Sequence, residues 1–419
     1  MMADAVVPGV WGPRSMGYMA HTMALRQGGG SSVLLACSSF IMEEMNFVEI
    51  FAADFEAPQA MRSTARLPHY YPPTRVRWLG EGPEGPELLV TSGDYLRIWS
   101  AGGELRELLR HEGNPQDRCT PITSVDTYLE AGAGAGGHLV SCDIYGICAF
   151  WDVERGAMQK AFDLGTPLCD VAYGPGGLVA AAGDGGECFL VDPRQSRDVE
   201  IFTPGTRVRG PARVAWGSRR PDLIAISWQD EAHSGLAMYS GTTQKAAPQL
   251  IRRSPGSSII ADLQWSPAFP EMLCCVCEDG AVEVWEFPET GVAAAAVASS
   301  PSFRWEPRGP SETCTALALS HQVQPGKHAL TLATAPAGHQ EPEDDFDVST
   351  GGSLWMVSLP QPSSRRGILG GVASTAAVAA PRVEAAPLRR LAPPAEAGPV
   401  PVPRRFGSAG AAGAAGLGF

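Results

Sequence analysis

The 419-residue chain is 44% hydrophobic, enough to bury a sizeable core as one large domain or as two or three ordinary ones. Its net charge is −13, but residues 361–419 carry seven arginines against Glu384 and Glu396, a charge of +5, which leaves −18 on residues 1–360. A body this acidic repels phosphate backbones, which excludes direct nucleic-acid binding through a basic face and favours basic protein partners.

Taken in order, the elements repeat. Ser31 to Phe55 reads as two strands around a Met-Glu-Glu-Met-Asn turn. Val76 and Trp78 begin the next unit, followed by Leu88–Trp99, an apolar run, a Gly93-Asp94 break and an alternating run that ends in tryptophan. Ile122 onward leads to a strand closing on Trp151, Leu168 onward to Val191, Val214/Trp216 to Tyr239, and Leu263/Trp265 to Trp285. Cys314–Ala335 resumes strand pairing, with Ser353–Leu359 available to complete that last unit.

Four of the five clear units open on apolar-x-aromatic (Val76/Trp78, Val171/Tyr173, Val214/Trp216, Leu263/Trp265), and the five close at 99, 151, 191, 239 and 285, a period of 40–52 residues. Several strands per unit at that period predict an all-β, seven-bladed β-propeller over residues 1–360. Leu88, Leu89 and Val90 are apolar in succession because a blade sandwiched between neighbours buries both faces of its inner strands. In the returning strand Leu96 and Ile98 face one way and Trp99 the other, as a wedge between blades. A strand from near the N-terminus is expected to close the ring and protect its edges.

Outside the units, an acidic insertion at about 338–351 reads as a mobile loop, and the Ala/Pro/Gly/Arg-rich tail 361–419 as disordered, since it cannot bury enough apolar area to offset its ordering entropy. No stretch approaches the ~20 apolar residues that span a bilayer. The ten cysteines are scattered, most of them inside apolar runs, as in a reducing compartment. The sequence thus predicts a soluble cytoplasmic or nuclear chain with no membrane contact, monomeric within its complexes.

"HYYPPTRVRW" followed by "LLVTSGDYLRIW", with "ACSSFIMEEMNFVEI" before and "AAAGDGGECFLVDPR" and "LQWSPAFPEMLCCVCEDGAVEVWEF" after, resembles the WD-repeat family of the Transparent Testa Glabra type and its animal counterpart, a cullin-4-associated factor that scaffolds dual-specificity kinases. The resemblance implies a non-enzymatic adaptor that assembles protein kinases or transcription factors. It also implies an alternative, a substrate receptor of a cullin-RING ubiquitin ligase, because some propellers contact that ligase's adaptor through Asp-x-Arg at the end of a blade strand. Asp192-Pro193-Arg194 matches, while Asp152 is followed by Glu154, with Arg155 one place late. The Gly-His pair that WD repeats carry ahead of the first strand is missing from the units, so the bonded network of His, Asp, Ser and Trp is not expected to form completely.

Candidate chemistry yields to packing at each point. "GAGAGG" at Gly132–Gly137 satisfies G-x-G-x-x-G but leads into a strand, where a dinucleotide site needs a helix. Cys274 and Cys277 have C-x-x-C spacing without a second pair, and the histidines show no metal-ligand spacing. Glu43/Glu44 and Asp344/Asp345 read as solvated pairs. No catalytic, cofactor or metal residues are therefore assigned. An enzyme on this scaffold would need converging polar groups at the channel, where Arg75, Arg77, Asp170, Arg213 and Asp262 are offered without a carboxylate cluster. The protein-binding candidates are Asp192, Arg194 and Trp228, the last beside a polar turn at a blade edge.

Overall fold

The computed structural model describes residues 10–359 except 29–31, 42–44, 55–59, 80–86, 112–119, 129–136, 196–198, 203–211, 218–222, 230–233, 241–248, 253–257, 268, 288–300, 306–311, 320–327 and 337–352. The acidic insertion, the tail, Glu43/Glu44 and most of the Gly132–Gly137 loop lie outside the described residues. The described residues fold as strands, with helical structure confined to the 3₁₀ turn Pro175–Gly177.

The first strand, β1 (Val10–Ser15), stands apart from its successors in the chain. Blade 1 follows as β2 (Ala20–Gln27), β3 (Ser32–Ser39), β4 (Asn46–Asp54) and β5 (Arg62–His69). Blade 2 is β6 (Arg75–Leu79), β7 (Leu88–Ser92), β8 (Leu96–Ser100) and β9 (Leu105–Leu109), and blade 3 is β10 (Ile122–Tyr128), β11 (His138–Asp143), β12 (Ile147–Asp152) and β13 (Ala157–Asp163). Blade 4 is β14 (Leu168–Tyr173), β15 (Val179–Gly183), β16 (Cys188–Val191) and β17 (Val199–Phe202). Blade 5 is β18 (Val214–Trp216), β19 (Leu223–Gln229), β20 (Ser234–Ser240) and β21 (Gln249–Arg252). Blade 6 is β22 (Ile260–Trp265), β23 (Met272–Cys277), β24 (Val282–Glu286) and β25 (Phe303–Trp305). The last strands are β26 (Glu312–Leu319), β27 (His328–Pro336) and β28 (Ser353–Leu359).

These form seven four-stranded antiparallel sheets, the seventh in the order β1-β28-β27-β26. Side chains are described for most of blades 1–6, without those of 199–202, 228, 240, 249–250, 252 and 305, and the seventh sheet is described by its backbone pairing alone. The closing strand, which the sequence left unnamed, is β1: Val10 pairs with Val357 and Ser15 with Ser353. First strands of successive blades neighbour one another right round the cycle, β2 with β6 and onward to β26 with β2. The blades therefore close into a ring, with β1 completing the last sheet, which is what makes the fold a β-propeller.

The core lies between blades instead of inside one. Leu89 faces blade 1, packing with Val48, Ile50, Leu67 and Trp78. Val90, one residue on, faces blade 3 with Val125, Leu139 and Trp151. A strand buried on both faces needs successive apolar residues, so the "LLV" of β7 is explained. Trp99 lies in the layer between blades 1 and 2 while Leu96 and Ile98 lie in the next, as the alternation predicts. Similar layers join blades 3 and 4, 4 and 5, and 5 and 6. Cys274, Cys275 and Cys277 are fully buried on β23, and burial pushes the Cys274 thiol up to about 12. "GAGAGG" does lead into strand: β11 starts at His138.

One expectation is corrected. The His–Asp–Ser–Trp network forms in full at blade 3, without a Gly-His pair ahead of its first strand. Trp151 Nε1 donates to Ser141 Oγ (2.8 Å), and His111 Nε2 lies 2.6 Å from the same oxygen. His111 Nδ1 lies 2.8 Å from Asp143 Oδ2, whose other oxygen accepts the amides of Tyr145 and Ile147. A carboxylate can only accept, so Nδ1 carries a proton and donates to Asp143, and indole, hydroxyl, imidazole and carboxylate lie in one continuous chain from Trp151 to Asp143. The histidine follows Arg110 instead of glycine, because what the network needs is an imidazole at the end of the preceding blade. Blade 2 has a variant: Trp99 Nε1 donates to Thr91 Oγ1 (3.0 Å) and His69 lies against the indole, but Arg97 stands between histidine and acid, paired with Asp94.

Candidate functional site

The innermost strands neighbour one another round the ring, and those of blades 2, 3, 4 and 6 bring Arg75, Ser124, Asp170 and Asp262 together. Arg75, at the start of β6, reaches Asp262 of blade 6 (Nη1–Oδ1 3.0 Å) and Asp170 of blade 4 (Nη2–Oδ2 3.1 Å). Ser124 of blade 3 donates to Asp170 Oδ1 at 2.6 Å, and the Val214 amide of blade 5 to Oδ2 at 3.1 Å. All of these side chains are buried. Three of the five named channel residues meet, as one arginine between two aspartates. No local pattern could show this in sequence, since ring closure alone brings blades 2, 4 and 6 together.

Electrostatics follow the geometry. Burial by itself would lower the Arg75 pKa, but Asp170 and Asp262 overcome it and hold the guanidinium charged. Burial would raise Asp262, and Arg75, Arg213 and Arg77 pull it below the usual carboxylate range. His21, contributed by blade 1, is pushed down to about 4 by burial and by Arg213 and Arg75. The remaining two channel arginines bond elsewhere: Arg213 Nε donates to the Ala261 carbonyl (3.1 Å), and Arg77 pairs with Asp126 (3.3 Å). Chemically the axis is a tie across the ring, with its carboxylates already committed to a guanidinium.

Below the tie, where the innermost strands end, lies a cavity of about 290 Å³ lined by Asp126, Tyr128, Tyr173, Trp216 and Trp265 among others. Arg75, Asp170 and Asp262 are not among its lining residues. Tyr173, Trp216 and Trp265 each end an apolar-x-aromatic pattern, and such residues act first as wedges: Trp265 Nε1 donates to the Ala215 carbonyl of the preceding blade (3.2 Å), as Trp78 does to Ala24 (3.1 Å). Trp216 lies so close over Gly174 that a Cβ there would sit 2.3 Å from the indole.

Of the protein-binding candidates, Asp192 and Arg194 are brought together at the end of β16. Arg194 Nε and Nη2 donate to the two oxygens of Asp192 (2.8 and 2.9 Å), and Lys160 of blade 3 braces the turn through the Pro193 and Gln195 carbonyls. The hydrogen bonds from Arg194 hold the Asp192 carboxyl below its usual range, and the arginine itself stays exposed. Asp152 and Arg155 on blade 3 repeat the arrangement more loosely, at 3.7 Å. Trp228 sits on β19 opposite Gly235, and its side chain lies outside the described residues. Among the described residues no group of three or more His, Cys, Asp or Glu could hold a metal ion, and no helix is long and apolar enough to cross a membrane.

A closed ring of four-stranded antiparallel sheets, bonded inside a blade through Trp, Ser, His and Asp, defines a WD-type β-propeller. The chain is similar to the DDB1- and CUL4-associated factor 7 homolog of Dictyostelium discoideum, at 25% identity over 260 residues, which covers 60% of this chain and 77% of that protein. No known family profile matches it.

Proposed function

We propose that this propeller is a non-enzymatic scaffold that holds two or more proteins on one rigid ring and raises their effective concentration for one another, its partners being protein kinases, transcription factors or both. The observation that carries this reading is the commitment of the axial polar groups to each other: Arg75, Asp170, Asp262 and Ser124 are spent on holding the ring closed, which leaves the rims and edges for recognition. Similarity to a protein named for association with other proteins supports it. The test is affinity capture of the full chain, with and without residues 361–419, read by mass spectrometry. Recovery of kinases or transcription factors supports the platform, and recovery of neither overturns it.

A second reading has its own observation. Asp192 fixes the exposed Arg194 guanidinium in one orientation, and the name of the Dictyostelium relative includes a ubiquitin-ligase component. As a cullin-RING substrate receptor the protein would present Arg194 to the ligase adaptor. Capture of cullin components that is abolished by Arg194→Ala supports this reading, and capture that survives the substitution removes it.

A further inference from the structure

Among the described residues seven large apolar side chains are exposed, and all seven lie on blades 1–3: Met45, Tyr70, Tyr71, Leu105, Leu108, Ile144 and Tyr145. Five of them share a rim. In an all-antiparallel blade, the turn between second and third strands and the connection to the next blade end on the same side of the ring. Met45 is in the first such turn of blade 1, Tyr70 and Tyr71 in the β5–β6 connection, and Ile144 and Tyr145 in the β11–β12 turn. Between them, Tyr95 carries the exposed Arg110 over its ring at 5.0 Å.

This rim is pinned. Thr74 Oγ1 donates to the Ile122 carbonyl, the Ile122 amide to Gly93, and the Ile144 amide to Pro121, which ties the β5–β6 connection to the turns of blades 2 and 3. Tyrosine and arginine on a rigid support are the side chains that anchor protein interfaces, and clustered exposed apolar residues mark such sites. On blades 4 and 6 the equivalent turns are acidic instead, with Asp184, Glu278 and Asp279 exposed.

We propose that this rim docks a partner segment with aromatic or aliphatic anchors at one end and a basic stretch at the other, the anchors over blades 1–3 and the basic stretch toward blades 4 and 6. The sign of the acidic turns and the −18 charge of residues 1–360 select a cationic protein segment and oppose nucleic acid and anionic lipid. The site rests on the scaffold reading and names the face and the chemistry of one of its partners.

The test uses the full chain and fluorescence anisotropy with two synthetic peptides of equal length, one Leu/Trp-rich then Lys/Arg-rich, the other Leu/Trp-rich then Glu-rich. The basic peptide is expected to bind at least about tenfold more tightly, and Tyr71→Ser with Tyr145→Ser to weaken it at least about tenfold. Asp184→Lys with Asp279→Lys should weaken it further and flatten its salt dependence. Both pairs are exposed, so circular dichroism should show an unchanged fold. Absence of binding, equal binding of the two peptides, or indifference to the tyrosine changes overturns the site. Self-association lost with the tyrosine changes would also overturn it, by assigning the rim to a second copy. Capture of native partners that survives the tyrosine changes overturns this site and leaves the scaffold reading standing.

Discussion

Replacing Arg75 by methionine would remove the one cation that two buried carboxylates share. Asp170 and Asp262 have side chains 0% and 8% exposed, at 3.1 and 3.0 Å from the guanidinium. Orphaning one buried ion-pair partner costs about 3–5 kcal/mol. The second adds less, because one carboxylate can take up a proton, so we expect a loss of about 5 kcal/mol, a third or more of a typical domain's stability. Urea denaturation at pH 7, followed by circular dichroism and tryptophan fluorescence, measures it. The pH dependence carries the sign. In the variant the folded carboxyls rise above their unfolded value of about 3.9, so the penalty is absent below that pH and grows as pH rises through it. Arg75→Met should therefore lose most at pH 7 and least near pH 4. Adding Asp170→Asn and Asp262→Asn should restore most of the stability, since removing a whole buried ionic group is often close to neutral. A single variant within about 0.5 kcal/mol of the parent would refute the tie, because only unperturbed surface sites behave that way.

Four further outcomes follow from the structure. Ser141→Ala leaves the Trp151 N–H and the His111 nitrogen without their shared partner and should cost about 1–3 kcal/mol, read as a shift in urea midpoint. Deleting residues 1–15 removes β1, uncovers β28, and should yield a chain that melts earlier and aggregates, measured by scanning calorimetry and light scattering. Gly174→Ala drives a methyl group into the Trp216 indole and should cost about 1–3 kcal/mol with a changed tryptophan emission spectrum. His69 is pushed down to about 3, mainly by burial and then by Arg97, so it folds neutral. Its contribution is complete above its unfolded pKa of about 6.5 and is lost as pH falls from there toward 3, a slope that His69→Gln should reduce in melts taken across that range.

Residues that repeat along the chain carried their own instructions. The apolar-x-aromatic openings, the "LLV" of β7 and the Trp99 wedge are local patterns, and a strand buried on both faces needs the same side chains whichever blade it meets. From those the repeat, the antiparallel blades and the closed ring could be read before any coordinates. The His111 network escaped because it joins residues 30 or more apart through an imidazole that no flanking glycine announces. The axial tie escaped for a stronger reason. Arg75 and Asp262 are 187 positions apart, and only the curvature accumulated over all the blades sets them 3.0 Å from each other. The apolar rim is likewise a property of the ring: Met45, the Tyr70-Tyr71 pair and the Ile144-Tyr145 pair lie far apart in sequence, and chain reversal at the end of each strand is what gathers them on one face. Period and burial are written residue by residue, whereas a charge meeting its partner across the axis depends on closure, and closure is settled by the whole chain at once.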